Sequence, residues 1–239
     1  MSGLLWLERW RLTVVVAVVL VAVVITGLVL VFSGPSHSSP VALPADGRGS
    51  ATLVVASGAP ELSVQTANLG STLVRASVPA GATVRPLLDQ NGVIRLTLVS
   101  GSGHNGNYTL QVLLSDAVTW TIDFDGGTDR TVANLRGGKI AAVTFGAGSD
   151  IIDLALPRPS GTPVIRLDGG ASQFLLTLPP GVPAQVTAAA GAAELTLDSI
   201  TRTGVAGGTV LTGPGWAGAA NRFDIDAASG VDQLSVSRW

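Results

Sequence analysis

Seven times after Gly58 the chain repeats one local pattern: a glycine, three residues, then an apolar–x–apolar pair. The copies are Gly58 followed by Leu62 and Val64, Gly92 by Leu96 and Leu98, and Gly106 by Leu110 and Val112. Gly148 leads to Ile152 and Leu154, Gly170 to Phe174 and Leu176, Gly191 to Leu195 and Leu197, and Gly230 to Leu234 and Val236. Alternation after each glycine is the period-two pattern of a strand with one face buried. The glycine itself is expected to let the backbone turn at positive φ before the strand begins. No long amphipathic helical pattern competes with this over residues 51–239, so the region is expected to be all-β.

The spacing of the glycines constrains the fold further than the motif does. Gly127, Gly148, Gly170 and Gly191 are 21, 22 and 21 positions apart. A near-constant period of that size marks stacked supersecondary units. The copy at Gly127 is degenerate, because Thr131 stands where the others are apolar. The expectation is a single-stranded β-helix-like solenoid in which each coil pairs with the coils above and below. The earlier glycines (58, 92, 106) are unevenly spaced, so that half is expected to pair less regularly. A β-sandwich, whose strands also recur at short intervals, is the alternative. Open ends of a solenoid must be covered. Trp216, in a Gly-rich stretch, and the terminal Trp239 are read as a cap, with an exposed sugar-stacking surface as the competing reading.

Preceding this region, Leu12 to Phe32 is an uncharged run of mostly Val, Leu, Ile and Ala. As a helix it would be roughly 30 Å long, the thickness of a hydrocarbon core. Lipid offers the backbone no partner, so the run is expected to be helical despite its β-branched residues. Trp6 and Trp10 stand where aromatic rings settle at the headgroups, and Arg9 and Arg11 flank only the N-terminal side. The positive-inside rule then puts residues 1–11 in the cytoplasm and the remainder outside. A cleaved signal peptide is the competing reading, although the apolar run is longer than a typical signal core and no small-x-small site follows it. Residues 33–50, with prolines at 35, 40 and 44, read as a linker reaching on the order of 25 Å. The expected organisation is therefore a cytoplasmic tail (1–11), one transmembrane helix (12–32), a linker (33–50) and an extracellular β-repeat domain (51–239).

Composition removes several kinds of chemistry. With no cysteine there are no disulfides, thiolate metal sites or cysteine nucleophile. A net charge of −2 leaves no electrostatic footprint for nucleic acid. His37 and His104 are isolated and make no zinc spacing. No Gly-x-Ser-x-Gly elbow or phosphate-binding glycine loop occurs. Phe145 to Asp153 half-matches a calcium-binding nonapeptide, but calcium there is shared between successive turns and no second copy follows. Asp150 is read as a solvated turn residue. Asp123 and Asp125 share one side of a presumed strand, with Asp129 just beyond. Such carboxylates could serve a polysaccharide-modifying enzyme. Asn107-Tyr-Thr109 is formally a glycosylation sequon.

The run Leu167-Asp-Gly-Gly-Ala-Ser-Gln-Phe174, with Leu178 to Ala184, Gly204 to Thr209 and Gly213-Pro-Gly-Trp216, resembles the bacterial "putative adhesin" or toastrack domains. These are related to the C-terminal domain of LiaF-type cell-envelope stress proteins. The resemblance spans roughly residues 51–239 and is strongest from Trp120 onward. It implies a stacked β-strand fold attached to a membrane with no known catalytic centre, since its motifs are structural glycines and turns. Sparse lysine (Lys139 alone) suggests an actinobacterial source. The reading is a non-catalytic, single-pass surface module with no catalytic, cofactor or metal residue assigned. Its partners would be the lipid bilayer through Leu12 to Phe32 and an envelope protein or cell-wall polymer. A surface enzyme using Asp123, Asp125 and Asp129, or a membrane regulator of a sensor kinase, are the alternatives.

Overall fold

The computed structural model describes residues 40–78, 82–88, 91–100 and 108–239. The apolar run Leu12–Phe32, expected from sequence to be a transmembrane helix, lies outside them, as do both histidines, Gly106 and Asn107. No helix among the described residues is long and apolar enough to cross a membrane. The domain is all-β.

The strands, in chain order, begin with β1 (Val41–Pro44), β2 (Ser50–Val55), β3 (Ala59–Ala67), β4 (Thr72–Ser77), β5 (Ala82–Leu88) and β6 (Val93–Ser100). Next come β7 (Thr109–Ser115), β8 (Thr119–Phe124), β9 (Thr128–Asn134), β10 (Lys139–Phe145), β11 (Ser149–Ala155), β12 (Val164–Leu167) and β13 (Ala171–Leu178). The last are β14 (Ala184–Ala188), β15 (Ala192–Leu197), β16 (Ile200–Val205), β17 (Thr209–Thr212), β18 (Phe223–Ala227) and β19 (Val231–Arg238). Sheet I has the order β1-β4-β7-β3-β9-β11-β13-β19-β15-β16, and sheet II the order β5-β6-β2-β8-β10-β12-β18-β14-β17. From β7 to β15 in sheet I, and from β6 to β14 in sheet II, all neighbours are parallel.

These two orders match layer by layer. A strand of sheet II turns directly into its successor in sheet I at β2–β3, β8–β9, β10–β11, β12–β13, β14–β15 and β18–β19. Each such pair is one layer. Two sheets enclose the core, as in the β-sandwich alternative, but between β7 and β15 and between β6 and β14 their strands run parallel. The apolar pairs of the sheet I repeats fall inside: Leu62 and Val64, Leu110 and Val112, Ile152 and Leu154, Phe174 and Leu176, Leu195 and Leu197, Leu234 and Val236 are all buried, whereas in the Gly92 copy Leu96 is buried and Leu98 only partly so. They belong to one continuous cluster with sheet II residues such as Ile122, Val143, Ile165 and Ile225. Each is worth about 1.5–3 kcal/mol relative to exposure. Phe124 and Phe145 occupy paired positions of β8 and β10 and stack at 4.8 Å, while Phe145 meets Phe174 of sheet I edge-on at 5.7 Å. Those contacts tie the sheets together across the core.

Thr131 fits its buried position because its hydroxyl has a partner, Thr128 Oγ1 at 2.8 Å. Trp120 is fully buried and its indole N–H donates to the Ser115 carbonyl at 2.8 Å.

Spatial order departs from chain order twice. The Gly127, Gly148 and Gly170 layers are adjacent, and their strands β9, β11 and β13 pair with offsets that follow the 21- and 22-residue spacing. The third interval does not continue the stack. β13 pairs with β19, and β19 with β15, so the chain's last layer is inserted ahead of the Gly191 layer. At the other end the chain lays down β2–β3 first and then places β6 and β7 outside them. Gly92 therefore heads a sheet II strand, unlike the other copies, and this explains the uneven early spacing. The early half nevertheless pairs regularly: β3 is parallel to both β7 and β9 with no register shift.

Two further expectations are corrected. The linker does not extend to residue 50, because Val41–Pro44 pairs antiparallel with β4 and Leu43 packs on the core. The ends are covered by antiparallel strands, not by tryptophans: β1 and β4 beyond β7, β5 beyond β6, β16 beyond β15 and β17 beyond β14. Pro44 and Pro86 stand in edge strands, and Arg202 of β16 is paired with buried Leu195. Such residues discourage further strand addition. Trp239 instead lies along the side of the stack, donating its indole N–H to the Leu156 carbonyl at 3.3 Å. Arg136 stands 5.4 Å from its ring. Trp216, in a 3-10 turn (Trp216–Gly218), donates to the Phe223 carbonyl and stacks 4.2 Å from Arg222.

The corner from sheet II to sheet I repeats in backbone detail. Asp125 and Gly126 both donate their N–H to Val55 O, Gly146 and Ala147 to Phe124 O, Asp168 and Gly169 to Phe145 O, and Ala228 and Ser229 to Leu167 O. Bringing turning backbones this close leaves no room for a side chain at some points. A Cβ on Gly169 would overlap the backbone of Ala147, and one on Gly58 would lie 2.6 Å from Gly127 O. Positive φ is not the general reason for the repeat glycines: among those described, only Gly92 and Gly191 have it. Gly169→Ala should therefore destabilise the domain by about 1–3 kcal/mol or more, since backbone must move to relieve the overlap. Gly49, with nothing near its Cβ position and no positive φ, is the matched control. Its replacement by Ala should leave stability unchanged or raise it by a few tenths of a kcal/mol up to about 1. Denaturant unfolding of the two variants measures the difference.

Candidate functional site

The same corner generates the most extended polar feature of the domain. Beyond each corner glycine, one position in every layer carries an exposed or half-exposed side chain. Following the register across sheet I, that position is Tyr108, Pro60, Asp129, Asp150, Ser172 and Asp232 in neighbouring layers. Two adjoining pockets run beside this row. One, of about 440 Å³, is lined by Pro60, Tyr108, Gly127, Thr128, Asp129 and Gly148 among others. The next, of about 350 Å³, shares Thr128 and Gly148 and continues past Ser149, Asp150, Gly170 and Ser172. Together they form a shallow, open groove crossing successive layers.

Its floor is backbone. Thr128, Ser149 and Ala171 donate their N–H groups to the carbonyls of Gly148, Gly170 and Gly230 at 3.3, 3.0 and 3.4 Å. A Cβ on Gly148 or Gly170 would sit 3.4 or 3.5 Å from the next glycine's carbonyl oxygen, an ordinary contact, and neither has positive φ. The fold tolerates a small side chain there, and glycine leaves the groove open. Hydroxyls line it: Thr128 Oγ1 lies 2.8 Å from both Thr131 Oγ1 and Ser149 Oγ. Asp150, read from sequence as a solvated turn residue, is exposed and belongs to this row.

The three aspartates singled out from sequence fall on different sheets. Asp123 is on β8 in sheet II, paired with Thr144 and Val54. Asp125 lies just past that strand, with its carboxylate 3.9 Å from Arg95. Asp129 is around the corner on β9 in sheet I, in the groove. Partial burial pushes the Asp123 carboxyl above its ordinary value of 3.8, against a hydrogen bond from Thr144 and with a smaller contribution from Asp125. Among the described residues, no three His, Cys, Asp or Glu side chains gather as a metal site requires. The glycine-rich turn Phe145–Asp153 contributes its Gly146 and Ala147 N–H groups to Phe124 O, which is interlayer pairing.

Sequence reasoning missed two salt-bridged clusters. Arg166, on the outer face of sheet II, reaches Asp168 at 2.6 Å and Asp226 of the neighbouring strand at 2.8 Å. Arg238 grips both oxygens of Asp198 at 2.6 and 3.0 Å and donates to the Val182 carbonyl at 2.7 Å. That grip fastens the end of the chain to the Gly191 layer and to the loop before β14. A pocket of about 330 Å³ adjoins it, lined by Val182, Pro183, Pro214 and Arg238, but the guanidinium there is already engaged. Arg166 and Asp168 are two positions apart, but the Arg166–Asp226 and Arg238–Asp198 contacts join residues 60 and 40 positions apart, so no local pattern announces either cluster as a whole.

Asp123 supplies a pH-dependent expectation. Its folded pKa exceeds the unfolded one, so its favourable contribution exists below pH 3.8 and is lost as pH rises through the folded value. At pH 7 the ionised group is a small cost. Asp123→Asn should raise Tm slightly at pH 7, and the gain should vanish toward pH 3. Paired thermal melts at the two pH values check this.

No family model and no curated protein matches this sequence. Among solved structures, the chain is similar to a "putative cell adhesion protein" from Clostridium sporogenes, at 11% identity and a TM-score of 0.62, covering 86% of this chain and all of that one. A "putative adhesin" from Parabacteroides distasonis aligns over 87% of this chain and 98% of its own at 11% identity, with a TM-score of 0.28. The protein thus shares its fold with an adhesion-type bacterial domain, as the resemblance read from Leu167 to Trp216 implied.

Proposed function

We propose that this protein is a non-catalytic, membrane-anchored surface module whose β-solenoid presents an interaction surface outside the cell. The apolar run Leu12–Phe32 is its single anchor, with the N-terminus cytoplasmic. The parallel layers form a rigid scaffold, and the partner is an envelope protein or a cell-wall polymer. The observation that carries this reading is the groove across the corner: one outward position per layer, held at fixed spacing by interlayer hydrogen bonds. Such an array suits a repetitive or extended partner. The fold shared with the clostridial cell adhesion protein supports the same reading. Asp123 lies on β8 of sheet II, Asp125 just past that strand, and Asp129 on β9 of sheet I, and only Asp129 lines the groove that carries this reading.

Orientation and anchoring are testable because the chain contains no cysteine. Ser172→Cys, introduced at an exposed site in the full-length protein, should react with a membrane-impermeant maleimide on intact cells. The protein should also stay with the membrane through an alkaline carbonate wash. Labelling that appears only after lysis, or release by the wash, would overturn the reading.

A further inference from the structure

We infer that the corner groove binds a linear, uncharged glycan laid across the layers, one sugar ring to each. The inference rests on the surface-module reading and names its ligand class and site.

Register is the first argument. Tyr108, Pro60, Asp129, Asp150 and Ser172 occupy equivalent positions in five consecutive strands of sheet I. Parallel strands are spaced by about 4.8 Å. That distance is close to the advance of one pyranose ring along an extended glycan, so successive rings can each meet the outward position of one layer.

The chemistry of the row is the second. Tyr108 and Pro60 are half-exposed apolar surfaces at one end of the groove, suited to the C–H face of a sugar ring. Asp129 and Asp150 follow as exposed carboxylates, which accept hydrogen bonds and cannot donate them. Sugar hydroxyls are the complementary donors, and hydrogen bonds to a charged acceptor are the stronger kind. Ser172 adds a hydroxyl that both donates and accepts, while the hydroxyls of Thr128 and Ser149 are engaged with each other, with Thr131 and with the Ile151 carbonyl. An anionic polymer would bring more acceptors and negative charge to a lip that already holds both. The nearby cation Arg130 is in the next row, paired across the strands with Glu61.

The glycine floor is the third. Gly148 and Gly170 are required neither by φ nor by a steric overlap, so the consequence of glycine at these positions is an uncovered groove. The same floor argues against an extended peptide. Strand addition needs a free sheet edge. This row crosses interior strands whose backbone groups already pair on both sides.

The test titrates the full-length protein in detergent micelles with chitohexaose, cellohexaose and mannohexaose as neutral probes, by calorimetry. Hexagalacturonate is the anionic probe, and a six-residue Gly/Ser/Thr peptide represents the extended-peptide reading. At least one neutral hexasaccharide should bind, more tightly than its trisaccharide and than hexagalacturonate. Asp129→Asn with Asp150→Asn, and separately Tyr108→Ala, should each weaken that binding by about tenfold. Asp224→Asn, on the outer face of sheet II, should not weaken it. Unchanged melting of the Asp variants separates lost contacts from lost folding. Failure of all three neutral glycans, binding indifferent to the groove variants, or preference for hexagalacturonate or the peptide would each overturn the inference. Surface labelling of Ser172→Cys together with failed glycan binding would leave the surface-module reading standing and remove only this one.

Discussion

The structure depends on turning backbones being able to touch. At four corners between the sheets, two successive N–H groups converge on one carbonyl of the neighbouring layer, on Val55, Phe124, Phe145 and Leu167. Side chains at the closest points would separate the layers, as the overlap at Gly169 shows. Held at hydrogen-bond distance, the corners keep the flanking strands in register. Register in turn stacks Phe124 on Phe145 and places the apolar pairs of the sheet I repeats in the core. In a sheet with one buried face, a slip of one residue would turn each apolar set outward. The corner therefore sets which residues form the core as well as where the chain turns. It also sets the spacing of the outward row that lines the groove.

Much of this was legible. The period of 21 and 22 residues foretold the interlayer offsets of β9, β11 and β13, and the apolar pairs identified the inner face. Thr131 looked like a flaw in the repeat, yet it is buried with its hydroxyl satisfied by Thr128, a pairing between two residues of one strand. What the sequence could not show was adjacency. Gly191 follows Gly170 by the same interval as its predecessors, and nothing local distinguishes a layer that stacks next from one that stacks after a gap. The groove is half-visible in the sequence: Asp129 belongs to a local carboxylate cluster and Asp150 to a glycine-rich turn, 21 positions apart. They become neighbours only when one coil offset is applied. Tyr108 and Pro60 join them through pairings of 48 and 69 residues' separation, beyond the reach of any motif. The role of the repeat glycines was also misjudged, because sequence distinguishes poorly between a turn at positive φ and a close backbone approach.

The inserted layer changes how the stack behaves as a solid. A simple solenoid is close to one-dimensional: each repeat touches its neighbours, and ends can fray while the middle holds. Here β18–β19 comes last in the chain but lies between the β12–β13 and β14–β15 layers. The Gly191 layer and its flanking strands β16 and β17 have no neighbour in the stack until the C-terminal segment arrives. Arg238 then closes the arrangement by holding Asp198 and the Val182 carbonyl from the final strand. At the other end β2–β3 is laid down first but is covered later by β6 and β7. Neither terminus of the described domain can add or leave as an independent layer. Such non-local closure costs loop entropy before it returns contact energy, which makes folding slower. The same closure couples both ends to the middle, so the groove is carried on an array that opens as a unit rather than one layer at a time.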